Sequence, residues 1–402
     1  MLKKIAISQV RTGMFVDSVE GSWMKHSLWK TRFLVKDREA LLRLQKSGAA
    51  ECWIDSSQGH DVATEERAIE PTPPVALPAA PVEKPKVRKS MGEELQNASD
   101  VLKRSKEAVA SLFAEARMGN AVDTSECAPI VNDIVDSIDH NADAIISLCR
   151  LKMADEYTYM HSVSVCALMV SLGRQLGLDE ATCRDAGMAG LLHDLGKAAM
   201  PQEIINKPGR LTDEEFTIIK THPVKGHEML IRSGVDNQRI LDVSRHHHER
   251  MDGKGYPDNL AADNISQIAR MSAVCDVYDA ITSNRPYKAG WDPAESVARM
   301  ASWQGHFDAK VLQTFIKTIG IYPIGSLVRM ASGKLGVVVE QNPTKLTAPK
   351  VKLFFSTNSG MPFEPKLVDL SESHVSDKII AREPSENWDF GYLNDLWANH
   401  VL

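Results

Sequence analysis

Five histidines and two aspartates fall at intervals that could hold metal ions. His161 lies in "YTYMHSVSV", His193 beside Asp194 in "LLHDLGK", His222 in "KTHPVKGHEML", and His247 and His248 in "RHHHERMDGKGYP". Asp276 follows in "SAVCDVYDAITSNRPYK". Alone, each fits a surface position or a satisfied place in a core. The adjacent His193–Asp194 pair, alone, also fits a helix C-terminus, where a cationic imidazole meets the dipole and the carboxylate caps a turn. Together they make four separated imidazole stations and two carboxylates. Nitrogen and oxygen donors without thiolate suit a borderline or hard divalent metal in octahedral geometry, such as Fe or Mn, rather than a Cys-rich zinc site. His193 could hold one ion while Asp194 bridges to a second. Two metals roughly 3.5–4 Å apart can clamp an in-line phosphoryl displacement and turn a bridging water into hydroxide.

The elements that must position these groups read as helices. From residue 91 to 320 apolar residues recur three and four apart, first in "GEELQNASDVLKRSKEAVASLFAEARMGN" and then in "VNDIVDSIDHNADAIISLCRL". "HSVSVCALMVSLGRQLG" and "DEATCRDAGMAGLLHDLG" form a helix pair, with Asp179 as N-cap of the second and Gly196 after its end. Residues 1–60 read as a small α+β unit: short apolar runs, the helical stretch "DREALLRLQKSG" closed by Gly48, and the strand "AECWIDSS". Residues 61–90, with six prolines in "EPTPPVALPAAPVEKPKVRKS", form an extended linker. After residue 321 the texture turns to strands around glycine turns, "SLVRMASGKLGVVVE" and "KVKLFFS", and "ENWDFGYLNDLWANHVL" reads as a terminal amphipathic helix. The fold class is therefore mainly α, with a small α+β N-terminal domain and a small β-rich C-terminal appendage.

Composition narrows the partners. A net charge of −6 gives no global basic field for nucleic acid or anionic lipid. The six cysteines are scattered without a CxxC pair, which fits free thiols in a reducing compartment. No apolar run is long enough to span a bilayer, and the basic start "MLKKIAISQV" lacks a cleavage site for export. The expected location is the cytoplasm.

"HDLGK", with His161 upstream and Asp276 downstream, resembles the HD phosphohydrolase superfamily. "HHERMDGKGYP" further resembles its HD-GYP subgroup, bacterial phosphodiesterases of cyclic di-GMP, over roughly residues 140–320. The first 60 residues resemble the small domain that often precedes this subgroup. The resemblance implies that one metal takes His161, His193, Asp194 and Asp276, while the other shares Asp194 and takes His222, His247 and His248. His246 is then the extra member of the histidine run. The turn Gly255-Tyr256-Pro257 shapes a rigid loop beside the site; an ordinary turn is the plainer reading, compatible with docking of signalling proteins. The N-terminal domain is a second candidate surface for such partners, and an oligomer is possible.

The resemblance also places Arg285 and Lys288, in "TSNRPYK", on the substrate's phosphates; without it, a solvated surface is the favoured reading. Lys197, three residues after Asp194, would lie near the metals and could stabilise charge on the reacting phosphoryl group. His227, Glu249, Asp252 and Asp279 are candidates to support the ligands. The implied function is a metal-dependent phosphodiesterase that hydrolyses cyclic di-GMP to pGpG, GMP or both through a metal-bridging hydroxide. The rival from another class is a catalytically weak cyclic di-GMP sensor or docking module; every ligand of the two-metal set is present, which favours the enzyme. Some family members hold a third metal with a glutamate four residues before the first ligand histidine. Tyr157 stands there, a poor ligand because a phenol has a pKa of about 10, and the adjacent Glu156 points away on an ideal helix. Two metals are therefore expected, with pGpG accumulating ahead of GMP.

Overall fold

In the N-terminal unit, Met1–Val82, short strands alternate buried and exposed side chains. β1 (Leu2–Ala6), β2 (Phe15–Glu20), β3 (Phe33–Leu34) and β4 (Glu51–Asp55) form an antiparallel sheet in the order β1-β4-β2-β3, and α1 (Arg38–Gln45) lies between β3 and β4 in sequence. Ile5, Val16, Leu44, Cys52 and Ile54 make its small core. The computed structural model describes residues 2–20, 32–45, 51–60, 88–151, 157–283, 290–342, 344–384 and 387–398. The expected linker, but for its last three residues, and Gly48 lie outside that set, as do Arg285 and Lys288. So do Glu156 and the side chain of Tyr157, on which the third-metal argument rests.

The second unit, Glu83–Leu402, is built from helices. α2 (Met91–Arg117) starts at a capping box, with Glu93 reaching back to the Ser90 amide at 2.8 Å. α3 (Cys127–Cys149) is not the continuous helix that its periodicity suggests. Asn141 takes an extended conformation inside it (φ −163°, ψ 100°), and its side chain accepts from the Asp143 amide at 3.1 Å. This local capping by an Asn competes with the helix ladder and restarts the helix at a kink. α4 (Tyr157–Gln175) is buried along most of its length, because α5 (Glu180–Leu192), α10 (Gln267–Thr282) and α12 (Ala309–Ile319) all pack on it. Asp179 caps α5 as expected, accepting from the Thr182 amide at 2.9 Å. α6 (Gln202–Ile205), α7 (Asp213–Ile219), α8 (His222–Arg232), α9 (Gln238–His246) and α11 (Pro293–Ser302) complete the helices before the second sheet.

That sheet is antiparallel, in the order β8-β7-β6-β5-β9, from β5 (Leu327–Met330), β6 (Lys334–Glu340), β7 (Lys350–Ser356), β8 (Met361–Asp369) and β9 (Ile379–Arg382). Val328, Val337 and Val351 join the core shared with the helices, while Leu327, Leu335 and Phe354 form a separate cluster with Phe355, Trp388 and Phe390. The terminal helix starts later than its pattern suggests: among the described residues α13 spans Asp395–Ala398. The residues before it pack as aromatic turns, Trp388 stacking on Phe390 at 5.5 Å and Phe390 edge-on to Phe354 at 4.9 Å. The chain is mainly α, with small strand-containing regions at both ends, and no helix among the described residues is long and apolar enough to cross a membrane.

Candidate metal centre

Every motif histidine and Asp194 stand at or within about one turn of a helix end, so the imidazoles converge from different directions. His161 is one turn inside α4. His193 and Asp194 follow α5 and lead into a 3-10 turn at Leu195–Ala199. His222 is the first residue of α8, His247 and His248 follow α9, and Asp276 lies on the buried α10. Two close backbone approaches set this arrangement. A Cβ on Gly196 would lie 1.9 Å from the His222 carbonyl oxygen and 2.5 Å from the Gly226 nitrogen, so only glycine lets the turn after Asp194 sit against α8.

The side chains form two groups. Asp194, His222, His247 and His248 bring ligand atoms within 4.8 Å of one another, as do His161, His193 and Asp276. Asp194 joins the groups. Its Oδ1 lies 3.2 Å from His222 Nε2 and 3.8 Å from His247 Nε2; its Oδ2 lies 3.6 Å from His161 Nε2 and 3.4 Å from His193 Nε2. All seven expected ligand residues are thus together.

Three of the rings are oriented by backbone. Nδ1 of His193 donates to the Gly190 carbonyl at 2.7 Å, that of His222 to Ile219 at 2.8 Å, and that of His247 to Val243 at 3.0 Å. A carbonyl can only accept, so each bond fixes the proton on Nδ1 and leaves the Nε2 lone pair facing inward. His161 uses Asp279 for the same purpose, Nδ1 to Oδ2 at 2.7 Å. Burial, together with the neighbouring His248, His193 and His222 rings, holds His247 well below its ordinary pKa; burial takes His248 down to about 3. Both rings are therefore neutral donors at pH 7. Burial alone would raise the Asp194 carboxyl, but the Lys197 ammonium and the His193 and His222 rings outweigh it and hold the group well below the usual carboxylate range. Burial would likewise lower His161, yet Asp276 and Asp279 raise it.

The donor set fits a divalent cation on one further observation. His193 Nε2 and Asp194 Oδ1 are buried and have no hydrogen-bond partner. An uncompensated buried lone pair is costly, and here two of them point into a cluster of imidazoles and carboxylates. Lys197 reaches Asp194 Oδ2 and puts a positive group at the cluster's edge.

The supporting candidates separate. Asp279 orients His161. Glu249 accepts from the amides of Asp258 at 2.7 Å and Leu260 at 3.0 Å, and so pins the Gly-Tyr-Pro loop. Gly255 is required there, since a Cβ would lie 2.5 Å from the Arg250 nitrogen and 2.5 Å from the Glu249 Cα. Asp252 instead pairs with Arg250 at 2.8 Å on the outer side of the turn, and His227 lies beside Arg245 and His246 rather than the cluster. His246 points away from the cluster: its ring bridges Asp242 at 2.7 Å and Asp258 at 2.9 Å. Sequence reasoning missed Lys220, Lys225 and Lys254, which line a cleft of about 990 Å3 leading to His247 and His248. Lys225 was findable, because three residues after His222 on one helix it shares that face.

The molecule has known relatives. An HD domain profile matches residues 143–311, and a domain of unknown function, DUF3391, matches residues 2–127. The chain is 49% identical to cyclic di-GMP phosphodiesterase PA4108 of Pseudomonas aeruginosa over 99% of its own length and 96% of that protein's. It is 39% identical to the cyclic di-GMP phosphodiesterase response regulator RpfG of Xanthomonas campestris, over 42% of this chain and 47% of that one. It is 31% identical to 3'3'-cGAMP-specific phosphodiesterase 2 of Vibrio cholerae, over 46% of this chain and 36% of that one. Near-full-length identity to the Pseudomonas protein, an HD domain over the clustered ligands and the pinned Gly-Tyr-Pro loop together make this chain a member of the HD-GYP family of HD phosphohydrolases.

Proposed function

We propose that this protein is a cytoplasmic phosphodiesterase that hydrolyses cyclic di-GMP to linear pGpG, with slower passage to GMP. The observation that carries the reading is the convergence of seven buried or nearly buried side chains in two groups joined by Asp194, with His193 Nε2 and Asp194 Oδ1 unpaired. The names of the Pseudomonas and Xanthomonas relatives support the substrate, and six buried free cysteines support a reducing compartment.

His161, His193 and Asp276 would hold one divalent ion, Fe or Mn, and His222, His247 and His248 a second, with Asp194 shared. Such ions supply Lewis-acid charge and an acidified water for attack on phosphorus. The chain's own residues do the rest. Backbone carbonyls and Asp279 keep the rings in the donor tautomer, so little reorganisation is needed as charge develops. The Lys197 ammonium sits where it can neutralise a phosphoryl oxygen. Glu249 and Gly255 hold the Gly-Tyr-Pro loop against the cleft. Arg285 and Lys288 are assigned to the substrate's phosphates on the resemblance alone.

Metal-loaded protein, purified without oxygen and incubated with cyclic di-GMP, should yield pGpG first and GMP later on chromatography. Unchanged cyclic di-GMP, with metal bound at two ions per chain, would contradict the reading.

A further inference from the structure

A cyclic dinucleotide carries two phosphates and two purines, and the metal cluster accounts for one phosphate. The cleft of about 990 Å3 is far larger than that group needs. Its outer wall is α7, a short helix that buries none of its residues yet is firmly fixed. Thr212 and Glu215 close a capping box, and Lys207 grips the Glu215 carboxylate at 2.6 Å. The helix presents Phe216, 45% exposed, to the cleft.

A single exposed phenylalanine needs no explanation. This one continues a line of rings that starts at the metal cluster. The His248 ring centroid is 4.7 Å from that of Tyr256, and the Tyr256 centroid is 6.4 Å from that of Phe216. Lys220 Nζ lies 5.1 Å from the Phe216 centroid. Lys220, Lys225 and Lys254 line the same cleft, and none has a carboxylate in ion-pair range among the described residues. Glu228 lines it too, but it is exposed and pairs with none of the three. The cleft thus joins the imidazole cluster, an aromatic surface and ammonium groups that have no carboxylate in ion-pair range among the described residues. That set of chemistries matches phosphate, purine and second phosphate.

We propose that Phe216 and Lys220 bind the half of the cyclic dinucleotide away from the scissile phosphate, Phe216 by stacking on its guanine and Lys220 by pairing with its phosphate. The proposal rests on the cyclic di-GMP reading above. Stacking on an aromatic side chain is substantial and tolerant of base identity, so Phe216 selects for a purine dinucleotide over a simple diester.

The test compares cyclic di-GMP with methyl p-nitrophenyl phosphate on the full-length, metal-loaded protein. Phe216→Ala should lower the preference for cyclic di-GMP over the simple diester roughly tenfold, through KM rather than kcat, with metal content unchanged. Phe216→Trp should restore it. Lys220→Gln should raise KM for cyclic di-GMP and flatten its dependence on salt. An unchanged preference in Phe216→Ala, or equal losses toward both substrates, would overturn this proposal alone. Wild-type protein that cleaves the simple diester but leaves cyclic di-GMP intact would overturn the functional reading, and this proposal with it.

Discussion

Two of the carboxylates that the helical unit buries, Glu94 and Asp194, are answered differently. Glu94, fully buried on α2, is answered from within the chain. Its Oε1 accepts from Ser137 at 2.9 Å and from Asn97, and its Oε2 faces Lys89 at 3.3 Å and His140 at 3.4 Å. Asp194 is equally buried, and it has Lys197 on one oxygen, but its other oxygen and His193 Nε2 are unpaired. Both clusters contain an acid, a lysine and histidine. What separates the two acids is the donors on their oxygens: Glu94 accepts a hydrogen bond on both, although His140 Nδ1 beside it makes none, whereas Asp194 Oδ1 accepts none. A structural carboxylate is met on both oxygens, whereas one that binds leaves an oxygen aimed at its ligand.

The largest expected difference between the two follows from removing each acid. Asp194→Ala should lower kcat by about a thousandfold or more and lower bound metal, with the fold retained. Glu94→Ala should keep its metal and lose stability, by about 1–3 kcal/mol, because Ser137 and Asn97 lose their buried acceptor. Denaturant titration and activity on the same samples separate the effects; a Glu94 variant that loses metal would break the contrast.

Chelation sharpens it. A ligand that binds only the folded state stabilises by mass action, about 2.7 kcal/mol at a hundredfold excess over Kd. A strong chelator should therefore lower the Tm of the wild type and of Glu94→Ala, and lower that of Asp194→Ala by less. Equal shifts in all three would mean that the cation binds elsewhere.

Within the histidine run the contrast is repeated on neighbouring residues. His247→Ala should remove activity and metal. His246→Ala should keep both and cost about 0–1 kcal/mol, since its ring only bridges partly exposed Asp242 and Asp258. Equal losses would show that the outward ring supports the cluster.

The smallest effect concerns Asp143, at the kink of α3. Burial and then the nearby Glu340 push its carboxyl up to about 6, against a partial offset from Arg88. The folded state holds this proton more tightly than the unfolded chain. The group's contribution to stability is therefore complete below its ordinary pKa and is lost as pH rises through about 6. Asp143→Asn should leave Tm unchanged near pH 4 and raise it near pH 8. No gain at the higher pH would mean that solvent or Arg88 already meets the charge.

The clustering of these residues was legible in the sequence because each lies in a short motif, and all of those motifs but that of Asp276 lie at or near a helix end. His193-Asp194 with Gly196 already encodes both the ligands and the close approach that seats His222. The break at Asn141 was hidden, since apolar periodicity runs on through it and only the Asn side chain, capping Asp143, interrupts the ladder. The terminal segment misled in the opposite way: Trp388, Phe390 and Tyr392 have helical spacing partners but pack on Phe354 and Phe355 instead. Phe216 and Lys220 carried no local signal, because their meaning depends on Tyr256, which follows far along the chain.

Metal content measured beside turnover tests the central claim most directly. Anaerobically purified wild type should carry two Fe or Mn ions per chain and convert cyclic di-GMP to pGpG; Asp194→Ala should carry fewer and convert none, and Glu94→Ala should match the wild type in both. Near-normal metal and turnover in Asp194→Ala would contradict the assignment of the shared carboxylate and, with it, the two-ion site.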